Sequence, residues 1–126
     1  MKVVEGKIKL KLRREKSQRI PVRYIIKEEV GKIIAIANVD KGLFSDIVEI
    51  RHPEITLWAN SSKAFMSRLN MNETYRAIAT LDPEDVWNER VGMRIAGKKL
   101  KDKLNAAMDR RVKFLSSYLH KIADNL

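Results

Sequence analysis

Apolar residues recur at every second position through most of the first 81 residues, and at every third or fourth position after Pro83. That single change of period constrains the fold more than any motif does. Period two belongs to strands with one buried face, and period 3.6 to a helix with one buried stripe. Strands first and helix afterwards imply an α+β chain: an antiparallel sheet of about five strands, followed by one or two C-terminal helices. With 126 residues the chain is one domain's worth, mainly β over 1–81 and helical over 83–126.

The clearest alternation is Lys7-Ile8-Lys9-Leu10-Lys11-Leu12-Arg13. It predicts a strand with Ile8, Leu10 and Leu12 inward and a cationic row of Lys7, Lys9, Lys11 and Arg13 outward. A polar turn over 14–18 leads to a second strand carrying Ile20, Val22, Tyr24 and Ile26 on one side. Pro21 lacks a ladder donor, so the reading starts this strand there or places it at an edge. Glu28-Glu29-Val30-Gly31 reads as a hairpin turn, and Lys32–Val39 as a central strand. Asp40-Lys41-Gly42 reads as a turn and 46–50 as a short strand. Between 51 and 72 the pattern breaks, with a further strand over 54–59 and a short helix carrying Phe65, Met66 and Leu69 as the best fit. Alternation returns at 73–81, with Tyr75, Ala77, Ala79 and Leu81 on one face.

Asp82 then reads as an N-cap, with Pro83 at the first helical position and Glu84 and Asp85 beside the positive end of the dipole. Apolar residues follow at Met93, Ala96, Leu100 and Leu104, then in a heptad-like row at Met108, Val112, Leu115, Leu119, Ile122 and Leu126. One helix over 83–126 would run about 65 Å, too long for a sheet this small. The reading therefore expects either a break near Asn105 or Asp109, or a C-terminal half that makes a homo-oligomer.

Charge bears on function. Twenty-six Lys and Arg against sixteen Asp and Glu leave +10 at neutral pH, more than solubility needs, which favours a polyanionic partner. Arg90, Arg94, Lys98 and Lys101 are spaced four, four and three apart and so share one helix face. Such a row repels itself unless an anion sits on it. The competing explanation is a solvated face partly neutralised by Glu89 and Asp102. The strand row Lys7, Lys9, Lys11 and Arg13 is a second basic surface suited to nucleic acid, although it has no aromatic on which bases would stack.

The same residues argue against several function classes. Absence of cysteine removes disulfides and thiolate chemistry and suits a reducing, cytoplasmic setting. The N-terminus lacks a signal-peptide core, and no apolar run reaches the length of a membrane span. His52 and His120 are far apart, and no GxSxG, GxxxxGK[ST], GxGxxG or HExxH motif occurs, so no enzyme, metal site or cofactor is expected.

The stretch Tyr75-Arg-Ala-Ile-Ala-Thr-Leu-Asp-Pro-Glu-Asp85, with Trp87, Gly92 and Ile95-Ala96 after it, runs as aromatic, alternating strand, PED turn and basic helix. It resembles small proteins of bacteriophages and mobile elements, in particular the first Thoeris anti-defence family. Members of that family are viral sponges that sequester cyclic ADP-ribose signals, and in some cases cyclic oligonucleotides, inside the host cytoplasm. The resemblance implies an antiparallel sheet with C-terminal helices, assembled as dimers or larger oligomers. It also implies that Tyr75 stacks on the ligand, that Asp85 opens the binding helix, and that Lys98, Lys99 or Lys101 stands in for the family's arginines.

Together these observations predict a non-enzymatic protein that captures a phosphate-bearing nucleotide through Tyr75, Asp85, Arg90, Arg94, Lys98 and Lys101. The alternatives are a DNA- or RNA-binding protein using the basic strand and helix, and an assembly protein whose charge is incidental.

Overall fold

A computed structural model describes residues 1–13, 16–39 and 73–124. Four strands, β1 (Lys2–Arg13), β2 (Lys16–Lys27), β3 (Lys32–Val39) and β4 (Glu73–Thr80), precede one helix, α1 (Glu89–Asp124). The strands form an antiparallel sheet in the order β1-β2-β3-β4. This is the α+β arrangement expected, with four strands among the described residues. The expected turn at 40–42, strands at 46–50 and 54–59, and helix after residue 60 lie outside those residues.

The hairpin chemistry is local. Gly31 sits at φ 64°, which glycine tolerates without strain, and its N–H donates to the Glu28 carbonyl at 3.0 Å. The Gly31 carbonyl in turn accepts the Leu81 N–H at 2.7 Å, pinning the β2–β3 turn to the end of β4. Strand β1 starts five residues earlier than alternation alone suggests, at Lys2. Gly6 hides that extension because it breaks the apolar pattern. A Cβ on Gly6 would lie 3.0 Å from the Tyr24 ring, so the aromatic fills the space a side chain would take. Pro21 falls inside β2 and not at its start: it faces Lys7 of β1, while the ladder to β3 begins only at Arg23. One side of Pro21 is thus outside any ladder among the described residues, and its missing donor is tolerated there.

The helix starts later than its sequence signals suggest. Asp82 accepts the Glu84 N–H on its carboxylate at 3.0 Å and the Asp85 N–H on its carbonyl at 2.9 Å, closing a turn around Pro83. Asp-Pro suits the first two positions of such a turn as well as it suits a helix start, which is why the two readings coincide. The cap of α1 is Asn88, whose side-chain oxygen accepts the Val91 N–H at 3.2 Å while its carbonyl accepts the Gly92 N–H at 3.0 Å. From there α1 continues for 36 residues, about 54 Å, with no break at Asn105 or Asp109.

The inner face of the sheet carries Ile8, Leu10, Ile20, Val22, Tyr24 and Ile26 on β1 and β2, but Ala35, Ala37, Ala77 and Ala79 beside Ile33 and Val39 on β3 and β4. Against it α1 buries Ala96, Leu100, Leu104, Ala107 and Met108, each at most 1% exposed. Small side chains on β3 and β4 let the helix approach closely, and α1 lies mainly over those two strands. Gly92 serves the same approach, since a Cβ there would stand 2.5 Å from Ile33 Cδ1. Because the helix is off-centre, its β1-facing flank is left raised above the bulkier half of the sheet. About 24 Å of α1 follows Met108, the last of these buried residues. Of the heptad-like row, Met108 is buried and Val112 half-buried; the side chains of Leu115, Leu119, Ile122 and Leu126 lie outside the description.

Candidate functional site

Under the raised flank lies an open cleft of about 420 Å³, lined by Arg94, Gly97, Lys98, Lys101 and Asp102 of α1 and by Ile8, Lys9 and Tyr24 of the sheet. Its volume falls in the range of about 300–1,000 Å³ usual for small-molecule sites. Helical periodicity places the cations: residues 94, 98 and 101 return to one flank every turn, and α1 sets that flank over β1. The floor is apolar where Ile8 and the Tyr24 ring meet the helix at Gly97. There a Cβ would stand 2.7 Å from the Tyr24 hydroxyl oxygen and 3.6 Å from Ile8 Cγ2. Gly97 is therefore what lets the helix rest on Tyr24.

Among the described residues none of Arg90, Arg94, Lys98 or Lys101 has an ion-pair partner, whereas Lys2 pairs with Glu89 at 3.1 Å. Glu89, expected to balance the helix charge, is thus engaged with β1. Asp102 lines the cleft without pairing to its neighbours. On the opposite flank the lysines are occupied: Lys99 Nζ donates to the Ile78 carbonyl at 3.1 Å, and Lys103 Nζ to the Arg76 carbonyl at 2.6 Å. These carbonyls belong to β4, which has no strand beyond it among the described residues. Covering such an edge is a structural task.

Of the residues singled out by sequence, the cleft gathers Arg94, Lys98 and Lys101, together with Lys9 of the second basic surface. Arg90 lies one turn before Arg94, exposed and outside the lining. Tyr75 stands on the inner face of β4 opposite Ala37, half-buried against the core, and does not line the cleft. Asp85 is exposed in the turn before α1 and does not line it either. Lys7, Lys9 and Lys11 run along the outer face of β1, with Lys9 opposite Arg19 and Lys7 opposite Pro21. Arg13 ends β1 opposite Lys16, and its side chain lies outside the description.

Tyr24, Gly97 and Ile8 were not foreseen as site residues. Tyr24 sits in an apolar alternation that marks it as core, and core it is, at 7% exposure. Burial raises its phenol pKa above the usual value of 10.0 by desolvation of the charged form. The signal that was available is Gly97: a glycine inside a helix costs about 1 kcal/mol against alanine, so its presence hints at a close approach.

A second hollow of about 500 Å³ lies on the outer face of the sheet, where Lys7, Arg23, Ile25, Ile36 and Asn38 surround Glu5. Glu5 stands directly opposite Arg23 in the register, which sets a carboxylate beside the cation. It is the larger hollow and the weaker anion site. Among the described residues no group of three His, Cys, Asp or Glu side chains is placed to hold a metal ion, and no helix is long and apolar enough to cross a membrane. No protein-family model, curated protein or solved structure matches the chain.

Proposed function

We propose that the chain captures a phosphate-bearing nucleotide in the cleft between β1 and α1, binding it without chemical conversion. One observation carries this reading: Arg94, Lys98 and Lys101 converge on a single cleft with an apolar floor, and none is paired to a carboxylate among the described residues. Like charges a turn apart weaken a helix by a few tenths of a kcal/mol per pair, and a bound phosphate turns that penalty into attraction. Arg94 offers a planar fork for two phosphate oxygens, while the lysines act as point charges. Ile8 and the Tyr24 ring close the floor beneath these cations.

The resemblance of residues 75–96 suggests a biological role, that of a phage anti-defence sponge holding a cyclic nucleotide signal in the host cytoplasm. Support for that role comes from the sequence pattern alone, since Tyr75 and Asp85 do not line the cleft. Assembly through the last turns of α1 belongs to the same proposal.

A second reading, nucleic-acid binding, is favoured by the outer row of β1. Lys7, Lys9 and Lys11 recur about every 6.7 Å, a spacing close to that of successive phosphates along an extended single strand. Calorimetric titration with a nucleotide panel and a short oligonucleotide, at low and moderate salt, separates the two. Nucleotide capture predicts saturable binding at one site per cleft with a shallow salt dependence. Nucleic-acid binding predicts affinity that falls steeply with salt as counterions are released. Failure of every nucleotide to bind would reject the proposal.

A further inference from the structure

Tyr24 is the buried titratable group to which the cation reading gives no task. Its ring is lodged between two glycines: a Cβ on Gly6 would lie 3.0 Å from the ring edge, and a Cβ on Gly97 would lie 2.7 Å from the hydroxyl oxygen. The residue is 7% exposed, yet its hydroxyl has no hydrogen-bond partner among the described residues. The side chain borders the open cleft of Arg94, Lys98 and Lys101, where water or a ligand can accept its hydrogen bond. Nothing among the described residues uses the hydroxyl that phenylalanine would lack.

We infer that the Tyr24 hydroxyl is a ligand-binding donor on the cleft floor, and that the cleft admits the charge-dense end of a nucleotide, a terminal phosphate or diphosphate, ahead of its base. This rests on the nucleotide-capture reading and narrows it. The chemistry of the lining supports it: Arg94, Lys98 and Lys101 are donors without acceptor capacity, and the phenol adds a neutral donor below them. Against these three cations stands one carboxylate, Asp102. A terminal phosphate brings about −1.5 to −2 charge at pH 7 and three acceptor oxygens. A cyclic monophosphate diester brings a single negative charge and leaves the cations under-neutralised. Desolvation keeps the phenol protonated, so it donates throughout the neutral range.

The test is calorimetry on the full chain and on Tyr24→Phe, using adenosine 5′-diphosphate, adenosine 5′-monophosphate, adenosine 3′,5′-cyclic monophosphate and adenosine. The unmodified chain should bind the diphosphate at least tenfold more tightly than the cyclic monophosphate, with adenosine weakest. Tyr24→Phe should lose about tenfold on the diphosphate, the value of one hydrogen bond to a charged group, while melting no lower than the unmodified chain. A Tyr24→Phe affinity within twofold of the original, or equal binding of the cyclic ester, would overturn the inference. If Arg94→Glu with Lys98→Glu abolishes binding while Tyr24→Phe does not, nucleotide capture stands and the inference alone falls. If the unmodified chain binds none of the four, both fall. Should Tyr24→Phe not fold, the phenol absorbance difference spectrum of the Tyr75→Phe, Tyr118→Phe double variant, in which Tyr24 is the one remaining tyrosine, on adding inorganic pyrophosphate decides. A perturbed spectrum supports the inference and an unchanged one rejects it.

Discussion

On the flank of α1 that faces β4, Lys99 and Lys103 each donate to a carbonyl of the strand's outer edge. On the flank that faces β1, Arg94, Lys98 and Lys101 surround a cleft, and none has an ion-pair partner among the described residues. The two flanks belong to one helix and carry the same charge. What separates them is the acceptor within reach. Backbone carbonyls meet the first pair because small alanines draw α1 down over β3 and β4, while the off-centre placement leaves the second set facing open space. A count of positive residues would assign both flanks to a ligand, whereas the hydrogen bonds assign one of them to the fold.

The strongest way to break this comparison is to reverse charge on each flank in turn. Arg94→Glu with Lys98→Glu should weaken nucleotide binding at least 100-fold, equivalent to about 2.7 kcal/mol, with the melting temperature nearly unchanged. Lys99→Glu with Lys103→Glu should leave affinity within threefold but lower stability by about 1–2 kcal/mol in urea titration, since carboxylates would then face carbonyls with no donor between them. If the two pairs exchange phenotypes, the division of labour is wrong.

Gly97→Ala sharpens the same contrast at the floor. The added Cβ meets the Tyr24 hydroxyl, an overpacking cost of about 1–3 kcal/mol that the better helix propensity offsets by about 1 kcal/mol. A net loss of about 1 kcal/mol with weakened binding is expected; a net gain would mean that α1 does not rest on Tyr24. A smaller effect concerns alkaline stability. The folded-state phenol of Tyr24 lies above the unfolded value of 10.0, so its contribution is intact below pH 10 and fades as pH climbs through the raised value. Tyr24→Phe should accordingly flatten the fall in stability above pH 10. The smallest effect belongs to Lys2→Ala, because the Lys2–Glu89 pair is solvent-exposed, with its side chains 62% and 33% accessible. Its loss should change stability by no more than about 0.5 kcal/mol.

Much of the architecture was legible because it follows from period alone. Ile20, Val22, Tyr24 and Ile26 are all buried, as alternation requires, and Ala96, Leu100 and Leu104 all face the sheet, as helical spacing requires. The start of α1 was not legible, because Asp82-Pro83 is equally good chemistry for a turn and for a cap, and only tertiary context chooses Asn88. At the site, spacing alone was enough to put Arg94, Lys98 and Lys101 on one flank. It was not enough to tell that flank from the one carrying Lys99 and Lys103, which depends on where the helix sits across the sheet. Tyr24 was hidden for a further reason: a buried aromatic in an apolar row looks the same whether its hydroxyl is needed or not.

Amide chemical-shift mapping of the isotope-labelled chain with inorganic pyrophosphate tests the central claim most directly. The account predicts saturable shifts concentrated at Ile8, Lys9, Tyr24 and residues 94–102, with Lys103, Arg76 and Ile78 undisturbed. Shifts spread evenly over Lys7, Arg19, Arg23 and the remaining cations, or centred on the β4 flank, would contradict it.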